Sequence, residues 1–232
     1  MKTNLLFLIV ITVVLATACS KSSDTGGSTP TTTCTWKTVF SDNFQRADTA
    51  LGSNYMAVIQ PTQHGGSGFA DIYNNSLRIS SDSVYWAIVY KPDVAGGKVR
   101  VSIQCTTPAK GGGIAFAVGG KGTLAGTAMQ SEYFAGVMFN TLGIFRSASP
   151  GLITLASMPY TVQYNHTYTL TFTMDDLNLM VSIVDVTSQV TTTLATVETS
   201  TEFSGKTCTI NGNSLGGQVV LLFNNFKIEA CQ

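Results

Sequence analysis

The sequence predicts an all-β protein, an antiparallel sandwich of two sheets of the jelly-roll type. Three observations predict this class. Apolar residues recur at every second position, Gly, Asn or Pro interrupts the pattern about every eight to twelve residues, and no stretch after Cys34 has helical spacing. The chain has no repeat of about 20 to 50 residues, which argues against a propeller or solenoid.

The clearest elements are one hairpin and one further strand. Apolar residues alternate with threonines from Tyr168 to Met174, Asp175-Asp176 predicts a turn, and alternation resumes from Leu177 to Val184. Lys98 to Cys105 alternates in the same way. The other predicted strands are Trp36 to Phe40, Ser76 to Ser80, Tyr85 to Tyr90, Gly113 to Val118, Tyr133 to Asn140, Gly143 to Ser147, Leu152 to Ser157, Val190 to Val197, and a closing pair within Gln218 to Ala230.

The first residues of the chain predict export. Leu5 to Ala18 is mostly apolar but shorter than the roughly 20 residues that span a bilayer, which is typical of a signal peptide. The run Leu15 to Cys19 resembles a bacterial lipobox, which implies a lipid on Cys19. Ala16 stands where such boxes usually carry a branched residue, so cleavage by the ordinary signal peptidase is the alternative. The polar run Ser20 to Thr33 suits a flexible tether.

These boundaries predict a signal peptide at 1–18, a tether at 19–33 and one domain at 34–232. The expected location is the bacterial cell envelope, lipid-anchored at the outer membrane or cell surface, with the lipid as the only membrane contact. Charged residues make up 11% of the chain, and the 13 basic and 13 acidic residues cancel. This balance argues against nucleic acid as a partner and favours a neutral ligand. We expect a monomer.

Two stretches at the ends of the domain carry a resemblance to a known family. Trp36 to Asp48 with Leu51 to Tyr55, together with Phe223 to Ile228 and Ile72 to Ile79, resembles the concanavalin A-like lectin/glucanase (laminin G-like) domains of bacterial secreted proteins. The resemblance covers about 35 residues and implies two curved antiparallel sheets with the first and last strands paired. Antiparallel pairing with Cys34 opposite Cys231 would set Trp36 against Glu229 and Phe40 against Asn225.

The cysteines provide a test of that pairing. With Cys19 lipidated, four cysteines remain in an oxidising compartment, and three pairings are possible. We favour Cys34 with Cys231, because these residues flank the first and last strands. For Cys105 and Cys208, two buried thiols and a second disulfide are both open.

The candidate catalytic acids lack the expected pattern. Glucanases of this fold use Glu-x-Asp-x-Glu or Glu-x-Asp-x-x-Glu, whereas Glu198 to Glu202 has Ser200 in place of the aspartate. Residues four apart on a strand are about 13 Å from each other, and retaining hydrolysis needs carboxyl groups about 5 Å apart. Glu132 and Glu229 are interpreted as residues of solvated strand edges. Gly120 to Ala125 is interpreted as a loop.

The candidate ligand-binding residues are mainly aromatic. His64 lies in a glycine-rich loop that can close over one end of a platform of stacking rings. The rings that can form this platform are Tyr85, Trp86, Tyr90, Tyr133, Phe134, Phe139 and Tyr164. The alternative is that these rings belong to the core, as aromatic residues at alternate strand positions usually do. Trp86 is the ring we favour for ligand contact.

The resemblance also implies a structural calcium, held here by Asp42, Asn43 and Asn225. No other cofactor is expected. These features predict an envelope lipoprotein without catalytic activity, which binds a neutral glycan or a protein partner. The alternatives are a glycoside hydrolase of the same fold and a purely structural envelope protein.

Overall fold

The structure is a computed structural model, and it describes the chain in nine ranges. These are 34–60, 68–82, 86–94, 97–108, 113–125, 128–148, 151–198, 203–215 and 218–232, the last two being parts of the C-terminal region. Within these ranges, no helical segment has the length and apolar character needed to cross a membrane. The predicted signal peptide and tether, including Cys19, lie outside the described residues.

Fifteen strands are assigned in these ranges. They are β1 (Trp36–Asp42), β2 (Met56–Gln60), β3 (Gly68–Tyr73), β4 (Ser76–Asp82), β5 (Trp86–Lys91), β6 (Val99–Thr106), β7 (Gly113–Ala125), β8 (Ala128–Met138), β9 (Thr141–Ala148), β10 (Gly151–Pro159), β11 (Thr167–Asp175), β12 (Asn178–Asp185), β13 (Val190–Val197), β14 (Thr207–Leu215) and β15 (Gln218–Cys231).

The strands form two antiparallel sheets. The eight-stranded sheet has the order β13-β12-β11-β6-β15-β4-β3, with β1 also paired to β15, and the seven-stranded sheet has the order β10-β9-β8-β7-β14-β5-β2. All fifteen strands pair antiparallel, and the first and last strands are neighbours. The predicted all-β sandwich is therefore confirmed.

The core lies between the two sheets and follows from alternation along the strands. On β11 the threonines are half-buried on the outer side, whereas the residues between them are fully buried. Those buried residues are Tyr168, Leu170, Phe172 and Met174. Burying one such side chain contributes roughly 1.5–3 kcal/mol. The predicted hairpin is confirmed as β11 and β12, with Asp175 paired to Asn178 across the turn.

The pairing of β1 with β15 is confirmed, but the predicted register is wrong. Trp36 pairs with Cys231 rather than Glu229, and Phe40 pairs with Ile228 rather than Asn225. The last strand continues to Cys231, so pairing starts two residues later than expected. The register then shifts by one residue between Thr38 and Phe40, because a β-bulge places an extra residue on one strand.

Two interpretations at turn-like sequences are also wrong. The closing pair predicted within Gln218 to Ala230 is the single strand β15, and Asn225 forms an irregularity at φ 53° instead of a turn. Gly120 to Ala125 continues β7 rather than forming a loop. Gly120 faces the core, where a Cβ would lie 2.6 Å from Cε of Met174. A larger residue at this position would therefore have to displace the end of the Met174 side chain. The strands β2, β3 and β14 were not predicted.

The disulfide between Cys34 and Cys231 is present, with the two Cα atoms 5.4 Å apart. It joins the residue before β1 to the last residue of β15. Cys105 and Cys208 are buried free thiols, and they lie on β6 and β14 in different sheets. Cys105 and Cys208 are therefore two buried thiols and do not form a second disulfide.

Candidate functional site

The candidate site is the outer face of the seven-stranded sheet, which faces away from the core. Directly paired residues of an antiparallel sheet lie on the same face. Thr209 on β14 pairs with Gly119 on β7, Gly119 pairs with Phe134 on β8, and Phe134 pairs with Phe145 on β9. These four residues form one line across the sheet, which we call the central row. Phe134 and Phe145 form an apolar cluster separate from the core between the sheets.

Two phenylalanine rings of the central row pack flat against the sheet. The rings of Phe134 and Phe145 are stacked, with centroids 5.0 Å apart and an interplanar angle of 23°. The ring of Phe145 covers Gly143, where a Cβ would overlap it. The two residues are 7% and 5% exposed, so they form the floor of this face.

Polar side chains lie beside these rings. The hydroxyl of Thr209 donates to Oε2 of Glu132 at 2.7 Å, and Nδ2 of Asn211 donates to Oγ1 of Thr209 at 3.1 Å. Glu132, Thr209 and Asn211 are all buried, and we call them the polar triplet. A Cβ at Gly119 would overlap both the Thr209 hydroxyl and the Glu132 carboxyl. The glycine therefore allows the hydrogen bond to cross β7.

The Glu132 carboxyl has an unusual protonation equilibrium. Burial raises its pKa from the usual 4.5 to about 7, although the hydrogen bond from Thr209 acts in the opposite direction. The residue is 4% exposed. Among the described residues, none donates a hydrogen bond to its second oxygen, Oε1. A carboxyl with this pKa can donate or accept a hydrogen bond near neutral pH.

The interpretation of Glu132 and Glu229 as residues of solvated edges is wrong for both. Glu132 is part of the polar triplet, in an interior strand of its sheet. Glu229 is buried and accepts from Nε of Arg100 at 2.7 Å, and that bond is the main cause of its lowered pKa. The position of Glu132 was detectable in principle. It lies two residues before Phe134, and residues two apart on a strand face the same side of the sheet. The predicted strand started one residue too late to include it.

The structure assigns the predicted aromatic residues to different places. Tyr90 lies on β5 and pairs with Thr209 on one side and with Met56 on the other. Trp86 lies on the same strand and pairs with Gln60. The backbones of both residues therefore belong to the sheet that carries the polar triplet. Their role as ligand contacts stays a prediction.

Tyr133 is corrected from a ligand contact to a core residue. It is 2% exposed, and its ring lies 4.7 Å from that of Phe203, measured between centroids. Its neighbour Phe134 takes the outer position, because successive strand residues face opposite sides. His64 and Tyr85 lie outside the described residues.

Glu198, the one described residue of the two acids considered for hydrolysis, is not in this site. Glu198 follows β13, which belongs to the eight-stranded sheet, and its Oε2 lies 3.5 Å from Nη1 of Arg146. Glu202 lies outside the described residues. Within the described strand ranges, Glu132 is the only acidic residue of the seven-stranded sheet. These strands therefore lack the second carboxyl that retaining hydrolysis needs.

Two of the three residues predicted to hold calcium, Asp42 and Asn43, make hydrogen bonds within the protein, and the calcium role itself stays a prediction. Nη1 of Arg46 lies 2.9 and 3.0 Å from the two carboxylate oxygens of Asp42, and the hydroxyl of Tyr55 donates to Oδ2 at 2.9 Å. A guanidinium therefore occupies the position that a bound cation would need. Oδ1 of Asn43 accepts from the backbone of Gln45. In the described part of the chain, no three His, Cys, Asp or Glu residues are grouped to hold a metal ion.

This arrangement defines a concanavalin A-like β-sandwich, and comparisons with solved structures support that class. A carbohydrate binding module, CBM66 from Bacillus subtilis, aligns with a TM-score of 0.56 and 11% identity over 78% of this chain and 99% of its own. Basic winged bean lectin, solved with Tn-antigen, aligns with a TM-score of 0.55 and 10% identity over 83% of this chain and 98% of its own.

A third similar structure is an enzyme. SCLam, a non-specific endo-beta-1,3(4)-glucanase from family GH16, aligns with a TM-score of 0.58 and 9% identity over 85% of this chain and 92% of its own. Identities this low show a shared fold alone. No protein-family model and no curated protein sequence matches the chain. The predicted concanavalin A-like fold is confirmed.

Proposed function

We propose that this protein binds a neutral glycan on the outer face of the seven-stranded sheet and does not cleave it. The observation that carries the proposal is the polar triplet of Glu132, Thr209 and Asn211 beside the flat pair Phe134 and Phe145. A sugar ring has an apolar face and a rim of hydroxyls. A binding site for it therefore combines aromatic surface with a few directed polar groups.

The protonation state of Glu132 supports a neutral ligand. Because its pKa is about 7, this carboxyl carries little charge in mildly acidic solution and can exchange hydrogen bonds with hydroxyls in either direction. The low share of charged residues, 11% of the chain, also favours a neutral ligand. We expect modest affinity that changes little with salt, since no ion pair forms.

The number of acids supports the proposed absence of cleavage. Glycoside hydrolysis by the usual route needs two carboxyl groups that flank the scissile bond. The described strands of this sheet supply one, Glu132, and Glu198 is engaged with Arg146 at 3.5 Å. A protein partner and glycan hydrolysis are the alternatives that the experiment below distinguishes.

Replacing Trp86 with alanine is expected to weaken glycan binding at least tenfold, because stacking on an aromatic ring supplies the apolar contact. The ligand is first identified on a glycan array with the purified domain, and its affinity is then measured by titration calorimetry. Tyr73→Ala is the matched control, since Tyr73 is an exposed ring on β3 of the other sheet.

Glu198→Gln and Glu202→Gln are expected to leave binding intact, and no variant should release sugar from an oligosaccharide. Turnover that disappears in Glu198→Gln would instead establish the hydrolase. Equal affinity of Trp86→Ala and the unchanged protein would reject the proposed site.

We further propose that the protein is a monomer attached to the bacterial envelope through a lipid on Cys19. The apolar run before Cys19 and the polar run after it support this proposal. Cys19→Ala is expected to move the protein from membranes to soluble fractions without lowering its midpoint of denaturation, because the tether precedes the folded domain. Retention of the variant on membranes after a high-salt wash would contradict the proposal.

A further inference from the structure

A second cleft lies on the outer face of the eight-stranded sheet, where β1 and β15 meet β6 and β11. Its volume is about 630 Å³. The polar groups that line it are the hydroxyls of Ser41, Ser102 and Thr169 and the amides of Asn43, Gln104 and Asn225. The polar triplet and Trp86 are on the other sheet, so this cleft is separate from the glycan site proposed above.

A β-bulge in β15 builds this cleft. The register between β15 and β6 shifts between Asn224 and Lys227, and Asn225 within the shift has φ 53°. Bulges of this kind often change the direction of a side chain next to a binding site. Nδ2 of Asn225 donates to Oε1 of Gln104 at 3.1 Å. Among the described residues, the Asn225 oxygen and the Gln104 nitrogen of this pair have no further hydrogen-bond partner, so both can bind a ligand.

The cleft has an excess of positive charge at one side. Lys227 lines it, and Nζ of Lys227 lies 3.2 Å from Oε1 of Glu229. The other oxygen of Glu229 is already bound to Nε of Arg100 at 2.7 Å. One carboxylate therefore faces two cations. The acid that lines the cleft, Asp42, is neutralised by Arg46 at 2.9 Å, so it does not cancel the excess.

We propose that this cleft binds an acidic sugar, a uronate unit of a polysaccharide, with its carboxylate on Lys227 and its hydroxyls on the amide pair of Asn225 and Gln104. The side chain of Lys227 is 43% exposed, so a ligand reaches the ammonium group. Hydroxyls and amides alone fit a neutral sugar equally well. The additional cation favours the charged one, because hydrogen bonds between ionised partners are about twice as strong as neutral ones.

The test uses tetramers of glucuronate, galacturonate and mannuronate, each paired with its carboxyl-reduced form, titrated into the full processed protein. At least one uronate tetramer is expected to bind, and its reduced form to bind at least tenfold more weakly. Lys227→Gln is expected to weaken uronate binding about tenfold, with Lys206→Gln as the control, since Lys206 is exposed and is not a lining residue of the cleft. Higher salt should weaken this binding.

A second variant separates binding from folding. Asn225→Gly keeps the positive φ without strain, so we expect an unchanged midpoint of urea denaturation and about tenfold weaker uronate binding. Trp86→Ala should leave uronate binding unchanged. The proposal is overturned if no uronate tetramer binds, if reduced tetramers bind equally well, if Lys227→Gln has no effect, or if Trp86→Ala abolishes the same binding.

Discussion

Replacing Cys34 and Cys231 with alanine is expected to lower the free energy of unfolding by about 3–5 kcal/mol, the largest change among the variants considered. The disulfide closes a loop with a sequence separation of 197, so it removes much conformational entropy from the unfolded chain. The measurement is urea denaturation of both proteins under non-reducing conditions. The folded variant should retain the sheet signal in circular dichroism.

Cys105→Ala provides a comparison for that variant. This residue is a buried free thiol. Its replacement removes packing contacts but leaves the Cys34–Cys231 disulfide intact. Dithiothreitol should therefore destabilise Cys105→Ala and the unchanged protein, and leave the Cys34→Ala, Cys231→Ala variant unaffected. Recovery of Cys34 and Cys231 as free thiols from natively secreted protein would contradict the prediction.

The Glu132→Gln variant is expected to gain stability relative to the unchanged protein as the pH rises. Between pH 4 and pH 8, the difference in free energy of unfolding between the two proteins should change by about 3 kcal/mol in favour of the variant. The pKa of Glu132 is raised from 4.5 to about 7 in the folded state. The folded state therefore holds its proton more tightly than the unfolded chain. The resulting stabilisation is complete below pH 4.5 and is lost as the pH rises through 7. Glutamine keeps the shape and never ionises.

The measurement is the midpoint of urea denaturation between pH 4 and pH 8. Glu229→Gln is the matched control, because the pKa of Glu229 is lowered, mainly by Arg100. The stabilisation from Glu229 is present at neutral pH and is lost as the pH falls through its lowered pKa, which is the opposite direction. Parallel pH profiles for Glu132→Gln and the unchanged protein would show that the carboxyl is already ionised or hydrated in the folded state.

The fold was predictable because apolar and polar residues alternate regularly in the strands at the centre of the eight-stranded sheet. In β6 and β11 every second residue is buried, and the apolar and polar residues alternate with the same period. The pairing of the chain ends was predictable from the resemblance of the terminal segments to concanavalin A-like domains, and Cys34 and Cys231 offered an independent test of it. The alternation is a property of local sequence, and the Cys34–Cys231 disulfide is one long-range constraint. Both can be recognised without a structure.

Bulges account for two of the errors in strand pairing. The shift between Thr38 and Phe40 and the irregularity at Asn225 result from packing against neighbouring strands, and an asparagine there equally indicates a turn. In β7, Gly120 belongs to a run that indicates a loop, but it lies in a strand where the end of the Met174 side chain fills the space beside it. A short sequence does not distinguish glycine that permits a turn from glycine that permits close packing.

The candidate site was only partly predictable. Trp86 and Tyr90 were predicted to supply stacking rings, and both lie on β5 of the seven-stranded sheet. The polar triplet was missed, because residues 77 apart along the chain, Glu132 and Thr209, meet only through the strand order β8-β7-β14. A lone glutamate among strand residues gives no signal of a buried partner until that order is known.

The disulfide also makes the domain a closed covalent ring. Cys34 and Cys231 are its first residue and its last but one, and every loop of the sandwich lies between them. A single cut by a protease in any of these loops therefore leaves both fragments joined through sulfur. Such a nicked domain keeps its mass and its attachment to whatever precedes Cys34, and it separates only after reduction or a second cut.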